Sequence, residues 1–272
     1  MTRLSYELKF ERATKHIETL RKTCKTWLGS NAYRIVIETE PETGYTVHRV
    51  KIRKPVPPTI ALIVGDAAHN LRSTLDQRAL ELAVSYHGAQ PVPVDIEADS
   101  EFPIFPYATS RGALGSDLFS KLDKKGHPVH GSGVHKLRGI NPDAIRDIEG
   151  KQPYHRGPTD FATDPLWVIH ELDRIDKRRR VNVTEWTAAG LKMGIQSAEH
   201  IHIRRMGHTG PIEDGTELAA FKATNAQFKV DATREIAFAQ GGPAQNDSVV
   251  SALEALRDYI SGTIFPLLTP YL

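Results

Sequence analysis

The stretch PPTIALIVGDAAHNLRSTLDQRALELAVSY, Pro57 to Tyr86, decides how the rest of the chain is read. Its apolar residues Ile60, Ile63, Val64, Ala67, Leu71, Leu75, Ala79 and Leu82 recur at the three- and four-residue steps of an α-helix, giving a stripe about 25 residues long. Pro57 and Pro58 open it, where the missing N–H costs little because the first turn has no intrahelical acceptor for it. A helix this long with this much apolar surface is expected at the centre of a core. Its second face is unusual. Asp66, His69, Asn70, Ser73 and Gln77 also recur at steps of three and four, and Arg72 and Asp76 form an i, i+4 pair beside them. A plain solvent face would favour Glu, Lys and Gln, because His, Asn, Ser and Thr are poorer helix formers. The segment Gly65 to Gln77 therefore asks for a reason beyond solvation.

Working outward, Leu8, Ile17, Leu20, Cys24, Trp27 and Leu28 follow a helical period over 4–28, and Gly29-Ser30-Asn31 supplies helix-stop chemistry. YRIVIETE and GYTVHRVKI alternate around PETG, which predicts an antiparallel hairpin over 33–53. From Gly88 to Pro158 prolines and glycines break the signal, leaving a short strand expected at EFPIFP and a short helix at Pro142 to Ile148. Periodicity returns over 164–180, where Thr163 or Asp164 can cap, Pro165 can start a helix, and Leu166, Ile169, Leu172 and Ile175 give the buried face. Alternating segments over 181–240 predict the strands of a second, larger antiparallel sheet, and 247–265 reads as an amphipathic helix with Val250, Leu253, Leu256 and Ile260 on one face. The predicted fold class is α+β in a single domain over 1–272. About four long helices from 4–28, 57–86, 164–180 and 247–265 form a bundle, with an N-terminal β-hairpin at 33–53 and a larger C-terminal antiparallel β insertion at 181–240.

Composition excludes some classes. With 272 residues the chain can bury roughly 70 to 75% of its unfolded surface. A formal charge of +2 gives no bulk attraction to nucleic acid, although a local basic patch remains open. Cys24 is the only cysteine, which rules out an intramolecular disulfide and a four-cysteine zinc site. No apolar run is long enough to span a bilayer, and the first residues lack the basic-then-apolar order of a signal peptide, so a cytoplasmic location without membrane partners is expected.

The helix at 164–180 offers a second polar set: His170, Asp173, Arg174, Lys177 and Arg178, with Glu171 and Asp176 nearby. Side by side, the two helices would bring imidazoles, carboxylates and guanidiniums to one cleft. Arginine and lysine bind phosphoryl oxygens, and a histidine moves a proton near neutral pH. The plainer account of HELDRIDKRRR is a solvated face laced by Asp173 with Lys177 and Asp176 with Arg180.

IVGDAAHNLRSTLD together with PLWVIHELDRIDKRRR resembles a group of uncharacterised bacterial and phage proteins carrying GDAxHNLRSxLD and HELxxIDKxR segments, whose helical core is in turn similar to HEPN domains. That resemblance implies a HEPN-like bundle, RNA or a nucleotide as partner, phosphodiester or phosphate hydrolysis by a ribonuclease or nucleotide hydrolase, and a homodimer formed through helix faces. The HEPN signature is an arginine followed four to six residues later by a histidine. Arg72 stands at the arginine, and Gln77 stands where the histidine would fall. Glutamine cannot act as a general base, which turns attention to His69, one turn before Arg72. Arg178 likewise stands where related sequences show histidine.

The site expected from the sequence places His69, Arg72, Asp76 and His170 in catalytic roles and Asp66, Asn70, Ser73, Asp173, Lys177 and Arg178 against substrate, with no cofactor. The rival expectation is a non-catalytic binding or assembly module in which the same stripe is a buried polar network between helices. Elsewhere, His127, His130 and His135 share one loop with a spacing that suits a metal but no evident acidic ligand, so no metal is assigned. His200 and His202 read as an exposed strand face, with Arg204 and Arg205 able to contact phosphates. Trp167 and Trp186 are expected in the core, and Cys24 as a buried small hydrophobe. Walker A, GxGxxG and GxSxG motifs are absent.

Overall fold

A computed structural model describes residues 4–88, 90–107, 118–181, 183–208, 212–239 and 241–272, of which 184–199 and 224–234 are described by their backbone alone. The fold is α+β with an antiparallel sheet. In chain order the elements are α1 (Ser5–Leu28), β1 (Tyr33–Thr39), β2 (Thr46–Ile52), α2 (Pro58–His87), α3 (Val94–Asp99), α4 (Gly133–Lys136), α5 (Pro142–Glu149), α6 (Pro165–Asp176), β3 (Val183–Met206), β4 (Glu217–Phe238), α7 (Val249–Tyr259) and α8 (Phe265–Leu268). Contacts group the chain into two compact units: Met1–Ile17, Val64–Arg180 and Leu253–Leu272 form one, and Glu18–Ile63 and Val181–Ala252 form the other. No helix among the described residues is long and apolar enough to cross a membrane.

In the first unit α2 is buried on more than one face. Leu71, Leu75, Ala79 and Leu82 are sealed as the stripe requires, and Ala68, Ala83, Arg72, Thr74 and Arg78 are buried as well. Arg78 shows how a cation is accommodated there: its guanidinium lies 4.4 Å from the Tyr6 ring centroid and 5.4 Å from that of Phe265, and Nη2 donates to Thr269 Oγ1 at 3.1 Å. It thus ties α2 to α1 and to the C-terminal turns. On α1 the buried residues are Tyr6, Ala13, Ile17, Leu20, Cys24 and Trp27, whereas Leu8, expected on that face, is exposed. At about 100° per residue Leu8 sits roughly 140° around the helix from Ala13.

Asp164 caps α6 by accepting the Leu166 N–H at 2.9 Å, with Pro165 in the first turn, and Asn141 caps α5 in the same way through the Asp143 N–H at 2.8 Å. A π-helical turn, Ile260–Ile264, separates α7 from α8. Pro266 explains it: proline has no N–H to give to the carbonyl four residues back and its ring crowds that carbonyl, so the backbone widens there. Trp167 is half-buried, edge-on to Phe161 at 5.7 Å. The Trp186 side chain lies outside the described residues.

EFPIFP forms no strand. Its apolar side chains Phe102 and Ile104 are buried as alternation suggested, but side chains take the place of a partner strand. Gln152 accepts the Phe105 N–H at 3.0 Å and donates to the Pro103 carbonyl at 2.9 Å, while Asp76 accepts the Phe102 N–H at 3.1 Å. With its backbone groups satisfied this way, the segment has no need of a ladder.

In the second unit α1 stops where expected: Ser30 N–H donates to the Trp27 carbonyl, and Asn31 takes the left-handed conformation, φ 54°. The hairpin pairs Thr39 with Thr46 and Tyr33 with Ile52, and Gly44 supplies the positive φ of its turn. The expected second, larger sheet is a correction. β3 and β4 are two long strands that join the hairpin in one four-stranded sheet of order β1-β2-β4-β3, with β4 filling the free edge of β2. A lone hairpin leaves a row of unpaired N–H and C=O groups on each edge, which the added strand satisfies. Register shifts along β3 and β4 mark bulges, one of them holding His200 at φ 52°. Cys24 is buried, and burial pushes its thiol up to about 12, as befits a small hydrophobe.

Candidate functional site

The two polar flanks read from the sequence touch in the first unit, at His69 and Asp173, but the cleft expected between them is not formed: the groove at His69 is lined from α1 and α2, and Asp173, Lys177 and Arg178 are not part of its lining. His69 Nδ1 lies 2.9 Å from Asp173 Oδ1, and the other oxygen of Asp173 is 2.7 Å from Lys177 Nζ. An ionised carboxylate can only accept, so Nδ1 carries the proton and donates it, which leaves Nε2 as the free nitrogen. The Asp173 side chain is only 5% exposed and the His69 side chain 46% exposed. A buried acid therefore orients an imidazole whose other edge reaches solvent.

Gly65 makes room here for the Asp176 side chain of α6. A Cβ built there would overlap the Asp176 carboxylate, so Asp176 lies against the glycine rather than pairing with Arg180. Burial, and then the charges of Asp66 and Asp173, raise the Asp176 carboxyl above its ordinary value. Glu171 is taken up by Arg174, and Lys177 and Arg178 are exposed.

His69 opens onto a groove of about 520 Å³. From α2 the groove takes Asp66, His69, Asn70 and Gln77, four of the five residues of the polar stripe. From α1 it takes Ser5, Lys9, Arg12 and His16, which sequence reasoning passed over, and Leu8, which it had placed on the apolar face. Arg12 Nε donates to His16 Nε2 at 3.1 Å, and Ser5 Oγ donates to Gln77 Oε1 at 2.6 Å. Burial, with Arg12 adding to it against the pull of Asp66, lowers the His16 pKa. Ser73 is half-buried and is not part of the groove lining. Asn70 donates to the Asp66 carbonyl at 2.7 Å, which fixes its amide along the helix.

Arg72, Asp76 and His170 fall elsewhere. Arg72 is 5% exposed; Nη2 donates to Glu101 Oε1 at 2.7 Å and to the Phe102 carbonyl at 2.8 Å, and lies 3.0 Å from Asp76 Oδ1. Lys136 Nζ holds the second Glu101 oxygen at 2.7 Å. The result is a network of Arg72, Asp76, Glu101 and Lys136 in which Arg72 is buried and the other three keep some solvent contact. Burial raises the Asp76 carboxyl despite Arg72, and burial followed by the Arg72 charge lowers the His170 imidazole. His170 Nδ1 and Arg72 Nη1 are both buried without a hydrogen-bond partner. His69 and His170 thus do not share the groove.

The remaining candidates are occupied or dispersed. His127 is exposed beside Asp123, and the His135 ring is held by Arg138, whose charge adds to burial in lowering its pKa. Among the described residues no group of three or more His, Cys, Asp or Glu side chains is arranged to hold a metal. In the second unit His200 and His202 are exposed, Arg205 reaches the Glu217 carbonyl, and Arg204 is bound to Glu40 at 2.7 Å and Glu217 at 3.1 Å, which holds the Glu40 carboxyl down to about 2. Comparison of the chain with family models, curated proteins and solved structures returned no match in any of the three.

Proposed function

We propose that the first unit is a HEPN-like helical core whose groove binds RNA or a nucleotide through its phosphate groups and hydrolyses a phosphodiester or phosphate bond. His69 is the proton carrier, Asp173 its orienting acid, Asp66 and Asn70 position the ligand, and Lys177 and Arg178 supply positive charge from α6. The observation that carries this reading is the His69–Asp173 pair, a buried carboxylate on one imidazole nitrogen with the other nitrogen at a groove that also holds Lys9 and Arg12. The same arrangement orients histidine bases in hydrolases of unrelated fold. Arg72, Asp76 and His170 have a supporting role here: they hold α2 and the Glu101–Phe105 segment in place behind the site.

The buried Arg72 guanidinium, held by Asp76, Glu101 and the Phe102 carbonyl, favours a second reading, a non-catalytic binding or assembly module whose polar contacts fix helix register. One experiment separates the two. Purified protein with excess chelator is given a labelled single-stranded RNA and, separately, ATP, beside His69→Ala and Arg72→Ala. The catalytic reading expects turnover by the wild type, its loss in His69→Ala with binding kept, and a stability defect in Arg72→Ala. A wild type that neither binds nor cleaves either ligand leaves only the module.

A further inference from the structure

The groove carries a second imidazole, His16, to which the reading above gives no role, and two cations, Lys9 and Arg12, to which it gives no specific task. Ser5, Lys9, Arg12 and His16 recur at steps of three and four, so they form one stripe of α1, and all four line the groove opposite the α2 stripe. We propose that His16 is the second proton-transfer residue of this groove, and that Lys9 and Arg12 neutralise a phosphodiester held between His16 and His69, so that one chain supplies both imidazoles. This rests on the assignment of the groove as a phosphate-handling site and adds to it a partner for His69.

Cleaving a phosphodiester without a metal needs two proton transfers, one from the attacking hydroxyl and one to the leaving oxygen. His16 suits the first. Its Nε2 accepts the Arg12 Nε–H, so the ring is neutral with its proton on Nδ1, and burial and Arg12 favour that form. Once Arg12 turns to the phosphate, Nε2 is free to take the hydroxyl proton as the new P–O bond forms. His69 suits the second. With both ring nitrogens protonated its charge is balanced by Asp173, and the Nε2 proton goes to the leaving oxygen as the old P–O bond breaks. The two histidines end with exchanged protonation and reset through water. The charged and titratable groups of the groove around His16 are Lys9 and Arg12 on α1 and Asp66 and His69 on α2.

The test uses the full chain, a single-stranded RNA oligonucleotide with chelator present, and proton NMR of the histidine rings during titration with inorganic phosphate. His16→Ala and His16→Asn are each expected to lower kcat about 10²-fold or more with a smaller change in KM, and to abolish the acid limb of the pH profile. Lys9→Ala is expected to raise KM. Asp66→Asn removes the charge that raises the His16 pKa, so the acid limb moves to lower pH; Arg12→Ala moves it up. Far-UV circular dichroism and the melting midpoint confirm that each variant is folded. If the wild type and both His16 variants cleave within threefold of one another while His69→Ala is inactive, the role given to His16 is wrong and the groove stands. If the wild type does not cleave and phosphate shifts neither His16 nor His69, both fall together.

Discussion

His69 and Arg72 stand three residues apart on α2, yet one ends half in solvent and the other fully enclosed. Both are cationic or able to become so, and both meet carboxylates. What differs is the neighbour. His69 faces α6 at Asp173 and then the open groove, whereas Arg72 faces Glu101 and Phe102, whose carboxylate and carbonyl occupy its Nη2. A single turn of helix can therefore carry one side chain that reaches solvent and one that is enclosed, and residue type does not distinguish them. The side that another segment covers does.

The sharpest way to break this comparison is to remove each side chain in turn and ask which property is lost. His69→Ala is expected to cut turnover of RNA or nucleotide by about 10² to 10⁴. Its melting midpoint should change less, since the imidazole that is removed is nearly half exposed and Lys177 still pairs the buried Asp173 carboxylate. Arg72→Ala is expected to do the opposite in stability, costing roughly 3 kcal/mol in urea unfolding. That is the low end for a broken buried pair, because Glu101 and Asp76 retain some solvent. A stable Arg72→Ala protein with lost phosphate binding would reverse the two roles.

Gly65→Ala comes next in size. The added methyl meets the Asp176 carboxylate, which must be displaced from its place against α2, a strain of about 1 to 3 kcal/mol that exceeds the gain of up to about 1 kcal/mol from alanine's helix propensity. Thermal unfolding should show a net loss, and pairing it with Asp176→Ala should recover most of it. An unchanged midpoint in the single variant would mean that the Asp176 carboxylate does not need its place against α2.

Much of this was legible from spacing. Helical periodicity located α1, α2 and α6, the PETG turn located the hairpin, and three- and four-residue steps located the polar flanks of α2 and α6, whose meeting was a premise that spacing alone does not supply. Three things were out of reach. EFPIFP has the alternation of a strand, but its hydrogen bonds go to Gln152 and Asp76, distant side chains whose roles no local pattern reveals. The α1 stripe of Ser5, Lys9, Arg12 and His16 looks like any solvated helix face until α2 stands opposite it. Gly65 lies inside a helical pattern where its only local signal is a cost in propensity, and the reason for that cost is the carboxylate of another helix.

The smallest effect tests the electrostatics of the contact itself. Asp176 lies beside Asp66 and Asp173 and is partly buried, so its carboxyl is harder to ionise in the folded protein than in the unfolded chain. A raised acid of this kind contributes stability below the ordinary aspartate value of about 3.9, and that contribution is lost as pH rises through the folded-state value. At pH 7 the ionised group therefore works against folding, by less than ~1 kcal/mol because solvent screens it. Asp176→Asn keeps the shape that fits Gly65 and removes the charge. It should melt slightly higher than wild type at pH 7, with the gap closing as the pH falls below the carboxylate range. A midpoint at pH 7 equal to or below that of the wild type would show that the carboxylate is held there by attraction. His69 is the neighbour that supplies attraction at this position, and the partition between an orienting acid at Asp173 and a crowded one at Asp176 would then have to be redrawn.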